Sequence, residues 1–229
     1  MKRSEYRLTR STLLTILLLL AAQCLYAREG GGGGHGGGGG IIGLILAPFM
    51  ILYALYKAQQ VKKKKLESEN IIAQAALEDP IWNENNMQAL AKDMFFKMQQ
   101  AWMERDLTDV KKLISQELYN DYKTQLDVMK SSHEKNMLEG INVTNVSIIS
   151  SQDYRDDSQD TFTAYIAGKI IDYTINEQTG NVIKNEKQEE ESFSDNYQFI
   201  RRGNAWILNS IKNDVSLGDI ESAVNYKEQ

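Results

Sequence analysis

The sequence predicts an α+β domain carried behind a single transmembrane helix, and three observations predict it. An apolar run over residues 41–56 (IIGLILAPFMILYALY) leads into a lysine cluster. Apolar residues spaced by three and four occupy residues 87–129, the pattern of amphipathic helices. From residue 141 onward, β-branched and alternating residues are punctuated by turn signals, the pattern of strands. Helices followed by a curved antiparallel meander make an α+β domain.

Taken in order, residues 1–27 read as a secretory signal. Lys2, Arg3, Arg7 and Arg10 form its basic region, LLTILLLLAA (13–22) its apolar core, and Leu25, Tyr26 and Ala27 an acceptable cleavage site. An uncleaved first span is the alternative; a lipoprotein signal at Cys24 is disfavoured because Gln23 occupies a position that needs a small residue. With cleavage or without it, the chain beyond the lysines is expected on the cytoplasmic side of the cell (inner) membrane. Residues 28–40, with ten glycines around His35, offer no side chains for packing and read as a flexible spacer.

Residues 41–57 are the expected transmembrane helix. A helix over 41–56 rises about 24 Å, somewhat short of the roughly 30 Å hydrocarbon layer, so bilayer thinning or the adjoining glycines must make up the difference. A buried core helix competes with this reading. The absence of a polar face and the position of Lys57 with Lys62, Lys63, Lys64 and Lys65 favour the membrane. Those four lysines are also candidates for binding anionic lipid head groups. Residues 58–81 read as a basic juxtamembrane segment and connecting helix, broken at Asp79-Pro80.

The domain proper is expected over 82–213. Met87, Leu90, Ala91, Met94, Phe95, Met98, Ala101 and Trp102 fall on one helical face, with Asn85 or Asn86 as its cap. Asp106 caps a second helix, in which Val110, Leu113, Ile114, Leu118, Tyr122, Leu126 and Met129 keep helical spacing to about Ser132. Strands follow over 141–150, 161–175, 193–202 and 205–212, with turns at 177–181 and at Gly203-Asn204. Phe193, Asp195, Tyr197 and Phe199 share one face of the third strand. The tail, 214–229, reads as one weak helix or as disordered.

Charge narrows the partners. The net charge of −5 divides into +8 over the first 65 residues and −13 over the rest. So acidic a domain is a poor general ligand for nucleic acid, whose affinity comes from phosphate neutralisation. A single cysteine permits no intramolecular disulfide, and two distant histidines give no zinc-ligand spacing. No metal site, cofactor motif, nucleophile elbow or phosphate-binding loop is expected.

Three short stretches carry a family likeness. The string Met98-Gln99-Gln100-Ala101-Trp102-Met103-Glu104-Arg105-Asp106-Leu107 resembles the Q-x-A-W-x-x-x-D segment of Tim44-like domains, named after the C-terminal domain of subunit 44 of the mitochondrial inner-membrane protein translocase. Phe193, Asp195, Tyr197, Phe199 and Arg201 resemble that family's F-x-E-x-W-x-F-x-R strand, with Asp195 for the usual Glu and Tyr197 for the usual Trp. Trp206, Leu208 and Ile211 resemble its closing strand. The likeness covers about 82–213. Bacterial members are similar in layout, with signal, glycine-rich spacer, membrane segment and domain.

The resemblance implies a cone-shaped fold like nuclear transport factor 2, with helices packed into a bent sheet around an apolar cavity. It implies a membrane-side module that tethers or binds proteins or lipids, in membrane-protein or translocation-related assembly. The long N-terminal region by which the mitochondrial protein engages its translocase has no counterpart here, so a translocase role is not carried over. Met94, Phe95, Met98, Trp102, Tyr197, Phe199 and Trp206 are the expected cavity lining. The expected partners are membrane lipids and a membrane-associated protein.

Two alternatives stay open: a structural subunit of a membrane complex, and a lyase or isomerase using the cavity. For the enzyme, Asp172-Tyr173, Asp195, Tyr197 and His133 are the candidate acids and bases, provided that one carboxyl is desolvated beside a proton partner. Asp195 is equally able to pair with Arg201 or Arg202, and no residue is assigned a catalytic role.

Overall fold

The computed structural model describes residues 38–228; the expected signal and the spacer up to residue 37 lie outside the described residues. The chain divides into two units, 1–50 and 51–229. Of the first, residues 38–50 are helical, and Phe49 and Met50 are exposed. The second unit holds the sheet and every strand among the described residues.

Helix α1 (Gly38–Ala75) is continuous. It takes in the last three residues of the expected glycine spacer and passes through the lysine cluster without a break. Lys, Glu, Gln, Ala and Leu favour helix, and the Lys63–Glu67 and Lys65–Glu69 pairs support it at i,i+4 spacing. No helix among the described residues is long and apolar enough to cross a membrane. The side chains from Ile51 to Leu55 are exposed; from Tyr56 onward one face of the helix is covered.

That covered face corrects the reading of 58–81 as a connector, because the second half of α1 is a layer of the domain. Val61 packs with Ile149, Tyr165, Val215 and Ile220, while Ile72 and Ala75 enter the main core. Ser68 Oγ meets Ser151 Oγ at 2.6 Å in a buried contact. Lys64 donates to the Ala223 carbonyl, and Lys57 donates to Ser194 Oγ and the Val215 carbonyl.

Helix α2 (Glu84–Glu104) is capped by Asn83, whose side chain accepts from the Asn86 amide, and not by Asn85 or Asn86. The earlier residue serves because a cap must stand outside the helix with extended backbone. Met87, Ala91, Met94, Phe95, Met98 and Ala101 form its buried stripe, as the spacing predicts. Helix α3 (Gln116–Ser131) starts later than expected. Val110, Leu113 and Ile114 are core residues in turns instead, and Asp106 accepts from the Thr108 amide and hydroxyl. The competing structure is a sheet edge: the Ser115 amide donates to Leu208, the Leu208 amide donates to Leu113, and Ser115 caps α3.

The strands are β1 (Glu134–Asp153), β2 (Thr161–Asn176), β3 (Val182–Lys184), β4 (Glu190–Arg202), β5 (Ala205–Lys212) and β6 (Tyr226–Lys227). The sheet order is β5-β4-β2-β1-β6, with β3 paired to β2. Strands β1, β2, β4 and β5 form the expected antiparallel meander. The tail corrects the rest: it folds into α4 (Leu217–Glu221) and then β6, which runs parallel to β1 and makes the sheet mixed. Three register shifts along β1–β2 mark bulges, which bend a strand and raise its twist, so the sheet curls. Gly168 sits within that irregular stretch. A Cβ there would lie 2.2 Å from the Asn142 carbonyl oxygen and 2.9 Å from the Phe193 ring.

Side chains alternate across the sheet. Ile148, Phe162, Ala164, Ile166, Tyr197 and Phe199 join α2 and α3 in one core. Ile149 and Tyr165 face the other way, toward α1 and α4.

Asp195 and Arg201 do not pair. Six residues of extended strand separate them by about 20 Å. Arg201 instead reaches Asp79, Asp157 and Asp160, and its Nε donates to the Gly203 carbonyl. The entry to the domain, the turn after β1 and the end of β4 are thereby held by one guanidinium.

Candidate functional site

A cavity of about 970 Å³ opens between α2, α3 and the curled sheet. Its apolar wall comes from α2, where Phe95, Met98 and Trp102 recur at helical spacing, and from β4, where Phe193 and Tyr197 recur at strand spacing. Ring packing fixes these groups. Phe95 stacks on Phe193 with centroids 5.1 Å apart and leans on Tyr197 at 5.9 Å, while Trp102 meets Tyr122 of α3 edge-on at 5.5 Å.

The polar part is acidic. Asp172, Glu191, Asp195 and Asp214 line the cavity; Lys184 also lines it but is paired with Glu134, 3.2 Å away. Asp195 stands apart from the other acids. It is 5 % exposed, and its Oδ1 accepts from the Asp214 amide at 3.3 Å. Among the described residues no Lys or Arg forms an ion pair with it. Desolvation pushes its carboxyl up to about 6, and the Asp214 charge adds to the rise. Tyr122 is pushed up to about 12, first by burial and then by the Asp195 charge. Tyr197 rises well above the ordinary phenol range, chiefly by burial. The phenols stay neutral at physiological pH, and a single unpaired carboxylate is left among aromatic rings.

The seven residues expected to line one cavity are divided by the fold. Phe95, Met98, Trp102 and Tyr197 stand on its wall. Met94 and Phe199 are buried in the core, Phe199 stacked on Phe162 at 4.5 Å. Trp206 lies against Trp82 at 5.0 Å and borders a separate cleft of about 350 Å³ with Pro80, Ile81, Met87 and Leu90. The indole N–H groups of Trp82 and Trp206 are both buried without an acceptor.

Of the candidate acids and bases, Asp172, Tyr173, Asp195 and Tyr197 border the cavity. Asp172 is exposed and accepts from Asn136 Nδ2, and Tyr173 donates to Glu139 at 2.6 Å. His133 is exposed at the start of β1, with φ of 55°. Lys62 and Lys63 are exposed, whereas Lys64 is tied to Ala223 and Glu67. Tyr122, Phe193 and Asp214 are wall residues that sequence reasoning did not assign to the site. The alternation that put Phe193 and Asp195 on one strand face was the available signal for Phe193.

The chain is similar in sequence to the Tim44-like domain over residues 68–213, more than half its length. The matched region begins inside α1, at the buried Ser68, which agrees with the packing of that helix on the sheet. Comparison with curated proteins gives no match. Among solved structures, the crystal structure of the intermembrane space region of chloroplast protein ARC6 is similar at a TM-score of 0.45 and 7 % identity, over 58 % of this chain and 98 % of that one. By the extent of the sequence match, this chain belongs to the Tim44-like domain family.

Proposed function

We propose that this protein is a membrane-anchored binding and tethering module. Its Tim44-like domain stands on the cytoplasmic membrane face and receives an apolar ligand, a lipid tail or a partner's apolar segment, in the assembly of membrane proteins. The observation that carries the reading is the open cavity of about 970 Å³ with its aromatic wall, at the upper end of the volumes that enclose small ligands. The anchor is supported by the exposed apolar side chains Phe49, Met50, Ile51, Leu52 and Leu55, which precede four consecutive lysines. Exposed Lys62 and Lys63 suit contact with anionic lipid.

The full-length protein, extracted in detergent and captured, tests this by mass spectrometry of co-purifying proteins and lipids. A stoichiometric membrane protein or a retained lipid supports the module. Capture of neither, with the cavity occupied by a small metabolite that is turned over, would replace it with the enzyme.

Asp195 favours that second reading, because a desolvated carboxyl titrating near 6 is poised as a proton acceptor. Binding remains the better reading of the same residue. The other cavity carboxylate considered for catalysis, Asp172, is exposed and held by Asn136, so it gives Asp195 no second desolvated carboxyl to work with.

A further inference from the structure

We propose that the cavity binds a small organic cation with an apolar body, whose ammonium group pairs with Asp195 while its body lies against Trp102, Tyr122 and Phe193. The inference rests on the reading of this cavity as a ligand site and names the chemistry of the ligand.

Two observations point to a cation. First, a carboxylate buried to 5 % exposure, with one long backbone hydrogen bond and no ion-pair partner among the described residues, is left without a counter-charge. Lys57, anchored on the neighbouring residue Ser194, spends its ammonium on Ser194 Oγ and the Val215 carbonyl. Lys184, the basic residue of the rim, is held by Glu134. Second, three partly exposed rings, Trp102, Tyr122 and Phe193, stand on the wall, and the negative face of a ring attracts an ammonium within about 6 Å of its centroid. A neutral apolar ligand would leave the carboxylate unpaired, and an anion would meet Asp172, Glu191, Asp195 and Asp214 together. The volume suits a small molecule in both parts, charged head and apolar body.

The test is calorimetric titration of the detergent-solubilised full-length protein with three benzyl probes that differ in the head group: benzylammonium, benzyl alcohol and phenylmethanesulfonate. The expected result at pH 7.5 is that the ammonium binds at least tenfold more tightly than the alcohol, and the sulfonate more weakly than both. Asp195→Asn, which keeps the shape and the acceptor for the Asp214 amide, is expected to bring the ammonium down to the affinity of the alcohol and leave the alcohol unchanged. Wild-type protein at pH 5, where the carboxyl is protonated, is expected to show the same loss, which keeps the test decisive if the variant fails to fold. Phosphocholine separates a free amine from a lipid head group: its phosphate meets the acidic rim, so it is expected not to compete, and competition at equal affinity would overturn the free-amine assignment. Equal binding of alcohol and ammonium, or an ammonium preference that survives Asp195→Asn, would overturn the cation while leaving the cavity as an apolar site. Binding of none of the three probes would overturn the ligand site itself.

Discussion

Asp195→Asn is expected to make the protein more stable at neutral pH, and the size of the gain comes from the carboxyl's position. Its folded-state value near 6 stands against an unperturbed value of 3.8. Below about 3.8 the group is protonated in folded and unfolded chains alike and contributes nothing to the pH dependence. Between 3.8 and 6 the folded protein keeps a proton that the unfolded chain has lost, so folding is progressively disfavoured as pH rises. Above 6 both states are ionised, and the full penalty remains, at most about 3 kcal/mol from 1.36 kcal/mol per tenfold change in affinity for the proton. Local relaxation reduces what is realised to about 1–3 kcal/mol, or roughly 2–10 °C in Tm for a domain of this size. Asparagine removes the charge and keeps an oxygen for the Asp214 amide. Urea unfolding of wild type and variant at pH 7.5, 6, 5 and 4 therefore gives a difference that is largest at pH 7.5 and closes toward pH 4. A variant that is less stable than wild type at pH 7.5, or a difference that does not change with pH, would refute the argument. A carboxylate that weakens the fold and has no cation inside it is the expected mark of a residue retained for a ligand.

Other substitutions test the frame that holds the cavity open. Gly168→Ala puts a methyl group 2.2 Å from the Asn142 carbonyl oxygen, a backbone atom that can move only by parting β1 from β2; denaturant unfolding should show a loss at the upper end of the 1–3 kcal/mol typical of overpacking. Arg201→Met leaves Asp160, at 0 % exposure, without its cation, and a loss of about 3–5 kcal/mol in the same assay is expected. A loss under 1 kcal/mol would mean that buried Asp160 does not depend on the guanidinium. Ser68→Leu forces bulk into the contact with Ser151 and is expected to loosen α1 from the sheet, read as faster amide exchange over residues 61–75 with exchange in α2 unchanged. Replacing Lys62 and Lys63 by Gln is expected to weaken sedimentation of the protein with anionic vesicles by about 1 kcal/mol per lysine, and to leave Tm unmoved because both side chains are exposed.

The helices and strands were legible where one physical signal dominated. The α2 stripe from Met87 to Ala101 has no rival periodicity, and β4 alternates from Phe193 to Arg201 without a fault. The stretch from Val110 to Ile114 has helical spacing too, yet its backbone groups are needed at the edge of β5, and that demand comes from a strand almost a hundred residues away. The role of α1 was hidden for a similar reason. Val61, Ser68, Ile72 and Ala75 mark its buried face, but a charged sequence with a polar residue on that face reads as solvated until the opposing Ile149, Ser151 and Tyr165 are in place.

The cavity was half legible because its two walls obey different periods. A helix shows a partner one broad stripe, so sequence reasoning assigned Met94 and Met98 to the same wall; Met98 borders the cavity, whereas Met94 is turned into the core. Strand β4 crosses the same divide, with Tyr197 on the cavity and Phe199, two residues on, stacked under Phe162 in the core. The two charged members of that strand face end as opposites. Arg201 lies at the closed end and gathers three carboxylates, while Asp195 lies at the open end and gathers none. Alternation alone gives both residues one description, an ionisable group on the buried face. What separates them is the curl of the sheet, which brings Asp79, Asp157 and Asp160 against one and leaves the other facing a space that a ligand can fill.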